Sequence, residues 1–361
     1  MAPVNAPASR GRGLILLAPV VLLLAVPSLL ASDKKKNEKV RKDVPDLVWP
    51  LPPEKPRIKY AGWVSDNTDV EPPQKKGWLS KLINEEETRR VFGMTRPAGI
   101  AVDSSGRIYV ADTLKAVVFV FDMDKKRLSL LGGDARGRLA GPFGIAIDDK
   151  DNVYVSDTGL KRVNVYDKSG KLTAAIKKVG SETIVNPAGL AIDPGRGRLY
   201  IVDSQGHRVF WADLNQLDKG GSFGTRGEDD NEFNFPSYVA VDPQGNLYVT
   251  DTLNFCVKVF DKDFKFTRRI GEHGTGFGMF DRPKGIALDS EGNIYVVDAT
   301  FSNFQIFNPE GQLLLFVGGF GEEPGSFRLP SGIFIDKKDR IYVSDQINRR
   351  LQIFQLLRGK S

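Results

Sequence analysis

A single cysteine, Cys256, stands in the 361 residues, so no disulfide can form within the chain and its stability must come from packing. Histidine is nearly as scarce: His207 and His273 are the only two, too few for a multi-histidine zinc site. The formal charge is +6, but most of it lies ahead of the main body. Arg10 and Arg12 give +2, the stretch from Asp33 to Asp46 another +2, and only +2 is left for everything beyond. A nearly balanced body lacks the one-signed field that phosphate backbones select, which argues against a nucleic-acid partner. What abounds is turn-forming residues, 37 glycines and 21 prolines, in a chain that is 41% apolar. That mixture is too hydrophobic for disorder and favours an all-β fold.

Residues 1–31 read as a targeting segment: a basic start, the apolar run Leu14 to Val26, then small residues at Ser28, Ala31 and Ser32. They predict an exported protein, periplasmic or extracytoplasmic. The apolar stretch from Gly13 to Ala31 is also about long enough to span a bilayer, so a cleaved signal and a retained inner-membrane anchor both fit. No other membrane anchor is expected. Residues 32–55 read as a charged, then proline-rich linker, and 358–361 as a tail.

The body is organised by repetition, because one phrase occurs six times. The copies are PAGIAVDSSGRIYVADT from Pro97, PFGIAIDDKDNVYVSDT from Pro142, PAGLAIDPGRGRLYIVDS from Pro187, PSYVAVDPQGNLYVTDT from Pro236, PKGIALDSEGNIYVVDA from Pro283 and PSGIFIDKKDRIYVSDQ from Pro330. Spacings of 45, 45, 49, 47 and 47 residues match the length of a four-stranded propeller blade. Each copy holds a short strand ending in an acid, a polar turn, a YVxD-like strand ending in a second acid, and a third strand such as VVFVFD or LQIFQ. The sixth repeat stops at its third strand, so the segment 56–65 is expected to supply the missing outer strand and close the ring within a propeller of residues 56–357. Residues 77–90 gather Trp78, Leu79, Leu82 and Ile83 on one face and predict a short amphipathic helix.

These repeats resemble the NHL family, whose blades read approximately P-x-G-I-A-V-D, G-N-I-Y-V-A-D-T and R-V-x-V-F-D. The resemblance covers residues 97–357 and implies an all-β, six-bladed β-propeller. The family's arginine is present as Arg162, Arg208 and Arg350 and replaced by Val117, Cys256 and Asn303 in blades 1, 4 and 5. Function does not follow from such a fold, since propellers serve many tasks. Similar propellers acting as amidating lyases or lactonases hold a central Zn or Ca with side chains from several blades. Here the two residues after each repeat proline offer no good ligand, although carbonyls and scattered aspartates could still suit Ca.

The second acids Asp112, Asp157, Asp203, Asp251, Asp298 and Asp345 recur in every blade and are therefore expected to serve structure, capping turns and accepting backbone or arginine hydrogen bonds. A functional site should break the symmetry. The breaks visible in the sequence are apolar loop residues, Leu114 and Val117 in blade 1, Phe255 in blade 4, Phe301 and Phe304 in blade 5. With the glycine-rich connections between blades they predict a face that docks a protein or peptide, or a carbohydrate. The leading expectation is a non-catalytic binding scaffold or sensor of the cell envelope, with no catalytic, cofactor or metal residue assigned. The alternative is a metal-dependent (Ca or Zn) lyase or lactonase with a central channel site.

Overall fold

The structure, a computed structural model, describes residues 44–72, 91–133 and 137–358. The targeting segment, the amphipathic helix of 77–90 and residues 359–361 lie outside the described residues. Among the described residues no helix is long and apolar enough to cross a membrane.

Six antiparallel sheets repeat one plan. Blade 1 runs Pro97–Val102, Ile108–Asp112, Val117–Asp122 and Arg127–Leu131, each strand pairing with the next. In every blade the repeat proline sits opposite the second acid, as Pro97 does Asp112 and Pro283 does Asp298, and the register then slips before the apolar residues pair. Proline suits that place because it has no N–H to give and the innermost strand has a free edge. The inner strands pack on one another in sequence order, and the inner strand of blade 6 packs on that of blade 1, which closes the ring.

The last blade borrows its outer strands from the other end of the chain. Ile58–Val64 pairs antiparallel with Arg350–Leu356, setting Tyr60 opposite Phe354, and so occupies the segment expected to close the ring. Its inward residues Ile58, Tyr60 and Val64 are buried in the alternation a half-covered strand requires. Part of the stretch read as linker is also a strand: Val48–Trp49 adds a fifth strand, pairing with Ile58 and Lys59. The indole of Trp49 explains this, because it packs edge-on against Phe354 at 5.7 Å and would otherwise face water.

Glycine follows the repeat proline by two in five blades, where the inner strands converge. A Cβ on Gly99, Gly144 or Gly332 would stand 2.3 Å from a carbonyl oxygen of the neighbouring blade. The apolar residues three ahead of each proline (Met94, Leu139, Ile184, Phe233, Phe280, Phe327) are buried and fill the space between blades.

A candidate ligand site at the channel mouth

The second acids are all fully buried, and their oxygens hold backbone. Asp112 accepts the N–H groups of Thr95 and Arg96 on one oxygen (2.5 and 3.0 Å) and those of Leu114 and Lys115 on the other (3.1 and 2.9 Å). Asp298 does the same for Asp281 and Arg282 (2.8 and 3.1 Å) and for Thr300 and Phe301 (2.9 and 3.0 Å). Asp157, Asp203, Asp251 and Asp345 likewise accept N–H groups from the residues just before their own repeat proline. In every blade but the third the acid also bonds the loop between the second and third strands, tying the chain entering the blade to that loop.

The arginine partner behaves less uniformly than the repeat suggests. Arg350 bonds Asp345 at 2.9 Å, but Arg208 reaches Glu182 instead of Asp203. In blade 4 Cys256 replaces the arginine, and Lys258 two residues on supplies the cation, 3.2 Å from Asp251 with neither side chain exposed. Lys258 also donates to the carbonyls of Asp229 and Glu232 (2.7 and 2.6 Å), while Gln305 and Gln352, at the matching positions of blades 5 and 6, donate to Met279 and Ser326 (2.8 and 2.7 Å). The glycine-rich connections are therefore pinned from beneath by buried polar side chains. Burial is the largest influence on the Asp251 carboxyl and raises its pKa, with the Asn234 N–H and Lys258 opposing. Burial also pushes the Cys256 thiol up to about 12, consistent with its role as a small buried side chain.

The predicted docking residues differ in exposure. Leu114 is exposed, Val117, Phe255 and Phe301 are half-buried, and Phe304 is wholly buried. Phe304 is a correction: it faces inward because Tyr295, Phe327 and Phe354 surround it with ring centroids 5.5–6.3 Å away, so it cannot meet a partner. Phe255 lies against the His273 ring at 4.3 Å. His207 is buried with Nδ1 3.2 Å from the Phe233 carbonyl, and no group of three or more His, Cys, Asp or Glu that could hold a metal ion occurs among the described residues.

The informative break in symmetry lies at the two positions after the repeat proline. Elsewhere these are mostly Ala-Gly or Ser-Gly, but blade 2 has Phe143, blade 4 has Ser237-Tyr238 and blade 5 has Lys284. Tyr238 takes the place of the convergent glycine and sends its ring inward, 5.2 Å from Phe143 of blade 2, with its hydroxyl 3.3 Å from Ser331 Oγ of blade 6. Burial raises its pKa, so the phenol keeps its proton. Below this plug the channel holds a cavity of about 240 Å³ lined by inner-strand residues such as Ile145, Val239 and Ile333.

Lys284 holds the position of blade 5 that Phe143 holds in blade 2 and Ser331 in blade 6, directly after the repeat proline. It is partly buried and has no hydrogen-bond or ion-pair partner among the described residues. Its pKa is lowered, first by burial and then by the positive charges of Arg282 and Arg96. Both arginines precede a repeat proline, both are exposed, and Asp298 and Asp112 fix their backbones. Thr252 Oγ1 lies 2.7 Å from Ser237 Oγ and 2.9 Å from the Pro283 carbonyl, fixing the approach to Lys284 from blade 4. Among the described residues no carboxylate is paired with the side chain of Lys284, Arg96 or Arg282. The signal was present in the sequence as Tyr238 and Lys284 in the place of small residues, but a search for metal ligands passes over a lysine and a tyrosine.

Residues 59–188 match a family described as an SMP-30/gluconolactonase/LRE-like region, and residues 226–305 match one described as a 6-bladed beta-propeller. The chain is a six-bladed β-propeller. No curated protein matches it in sequence. Among solved structures, it is similar to a gluconolactonase from Xanthomonas campestris (TM-score 0.58, 16% identity, covering 82% of this propeller's chain and 98% of that one). It is also similar to virginiamycin B lyase from Staphylococcus aureus (TM-score 0.54, 14% identity, 73% and 96% covered). A third is an auxiliary nutrient binding protein from Bacteroides thetaiotaomicron (TM-score 0.57, 15% identity, 73% and 69% covered). At such identities the likeness is one of fold.

Proposed function

We propose that this chain is an exported, NHL-type propeller that takes a small organic anion at the mouth of its central channel, with Lys284 as the counter-charge. The observation that carries the reading is a partly buried lysine, Lys284, at a repeat position that other blades fill with Ala, Phe or Ser, with no hydrogen-bond or ion-pair partner among the described residues, and with the charges of Arg282 and Arg96 acting on it. Burying an ammonium with like charges nearby costs stability, and an anion occupying the mouth would remove that cost. Export rests on residues 1–31 alone.

Catalysis at this mouth is the second reading, and the company of the fold favours it, since the similar structures include a lyase and a gluconolactonase. For the metal-dependent form, no group of three or more His, Cys, Asp or Glu stands together among the described residues, which leaves carbonyls and scattered aspartates as donors. Docking of a protein, peptide or carbohydrate on the loops rests on Leu114 and Phe301, with Phe304 removed from that surface.

Calorimetric titration of the purified chain with short carboxylates and phosphates, at low and high salt, tests the anion site. Saturable binding by at least one anion that is lost in Lys284→Met, with the melting curve still cooperative, supports it. Equal binding by wild type and variant refutes it.

A further inference from the structure

We infer that the channel below Tyr238 binds a small uncharged molecule with an apolar body about the size of two fused rings. The wall of this cavity includes neither Lys284 nor the arginines, so the inference goes beyond the anion reading and does not depend on it.

The wall decides the charge of the ligand. The cavity of about 240 Å³ is lined by aliphatic residues, glycine, alanine, Phe334 and Tyr238, with no ionisable side chain but the tyrosine. The Tyr238 hydroxyl is engaged with Ser331 Oγ at 3.3 Å, so no charged group is left to pair with an ion. The first acids, next along each inner strand, bond their own turns instead: Asp289 accepts the N–H groups of Glu291 and Asn293, both at 2.9 Å. Moving an unpaired charge into such surroundings costs far more than moving an apolar body, so the wall selects a neutral ligand. Each inner strand is the free edge of its sheet, and its unpaired backbone groups can meet one polar group of that ligand.

The shape gives an entrance and a size. At one end the Tyr238 ring lies 5.2 Å from Phe143 and closes the channel. Residues three after the repeat proline, such as Ile145, Val239 and Ile333, are buried, whereas those five after it are half-buried in every blade: Val102, Ile147, Ile192, Val241, Leu288 and Ile335. All of these but Val102 line the cavity. They form an aliphatic collar that still meets water, and a ligand entering there would cover it. An apolar cavity of about 150 Å³ takes benzene, so one of about 240 Å³ suits a body of about ten heavy atoms. Phe334 sets the upper limit. The other five blades carry alanine at its position, and only blade 6 puts a ring into the wall.

The test titrates the full chain by calorimetry with naphthol, which stays uncharged at neutral pH, and with naphthoate, which has the same rings and a carboxylate. Naphthol should bind saturably at one site per chain, and naphthoate at least about tenfold more weakly, because its charge finds no partner in the wall. Ala191→Phe, which places in blade 3 the residue that blade 6 carries there, should weaken naphthol at least about tenfold by filling the cavity, with the melting curve still cooperative. Val241→Trp at the collar should give the same loss, and serves if the first variant does not fold. Phe334→Ala should admit the larger phenanthrol, which the wild type excludes. Absence of saturable naphthol binding by the wild type overturns the inference, as does equal binding by the wild type and a folded filled variant. If naphthoate binds as tightly as naphthol and Lys284→Met abolishes both, the ligand sits at the anion site, and the cavity inference falls while the anion reading stands.

Discussion

Tyr238 Oη lies 3.3 Å from Ser331 Oγ, joining the inner strand of blade 4 to that of blade 6 across the channel mouth. Two residues 93 positions apart meet because a propeller gathers the start of every inner strand around one axis, so that the second residue after Pro236 faces the first after Pro330. Tyr238 stands where five blades carry glycine, so the backbone there tolerates the smaller residue. Tyr238→Gly should therefore fold, with a cooperative transition at a lower temperature. The lost ring packing costs about 3–5 kcal/mol, the usual range for truncating a buried aromatic. Thermal melting by circular dichroism checks this, and a variant lacking β structure would show that Tyr238 is needed to form the ring.

The tyrosines of the second strands offer a paired comparison. Tyr295 donates to Asp289 at 3.0 Å, and Tyr109, Tyr154, Tyr248 and Tyr342 bond the first acid of their blades in the same way. In blade 3 the turn has one extra residue, and the buried Tyr200 hydroxyl is left without a partner. Tyr295→Phe should cost about 1 kcal/mol, whereas Tyr200→Phe should cost nothing or stabilise, because it removes an unsatisfied buried hydroxyl. Urea unfolding of both variants separates the two cases, and equal losses would contradict the geometry.

Lys258 and Asp251 are a buried ion pair on which the connection into blade 4 depends. Lys258→Met leaves the buried Asp251 without its cation and should destabilise by about 3–5 kcal/mol, while adding Asp251→Asn should recover part of the loss. A double-mutant cycle in denaturant measures the coupling. Additive losses would mean that the two charges do not act as a pair.

Lys284 predicts a stability that varies with pH. Its folded pKa lies below the ordinary value of 10.5, so between the two the unfolded chain binds a proton that the folded chain lacks. Stability contributed by this group therefore rises with pH across that window, and below it the full penalty of the buried ammonium persists. Lys284→Met should melt higher than the wild type at neutral pH, with the difference shrinking as pH approaches 10.5. Melting curves from neutral to alkaline pH give the sign, and a variant less stable throughout would show that Lys284 has a partner in solution.

The blades could be read from the sequence because each repeat solves the same local problem with the same residues: proline at a free edge, glycine at the close approach, an acid for each turn. The closing segment was legible for a related reason, since a sixth blade one strand short exposes an edge that only an unassigned alternating stretch could cover. The docking residues were read less well. Phe304 carries the same apolar signal as Phe301, and whether a loop-side aromatic faces water or a neighbouring blade depends on which side of a strand it occupies after the turn.

The repeat phrase and its spacing determined the number of blades, the strand order and the structural duty of the recurring aspartates, because these interactions lie within one blade or between neighbours in sequence. Only the tertiary structure decided the site. Ring closure sets Tyr238 beside Phe143 and Ser331, and leaves Lys284 partly buried without a hydrogen-bond or ion-pair partner among the described residues. The repeat register brings these residues to one end of the inner strands, but which of them touch depends on the side chains that the ring brings face to face.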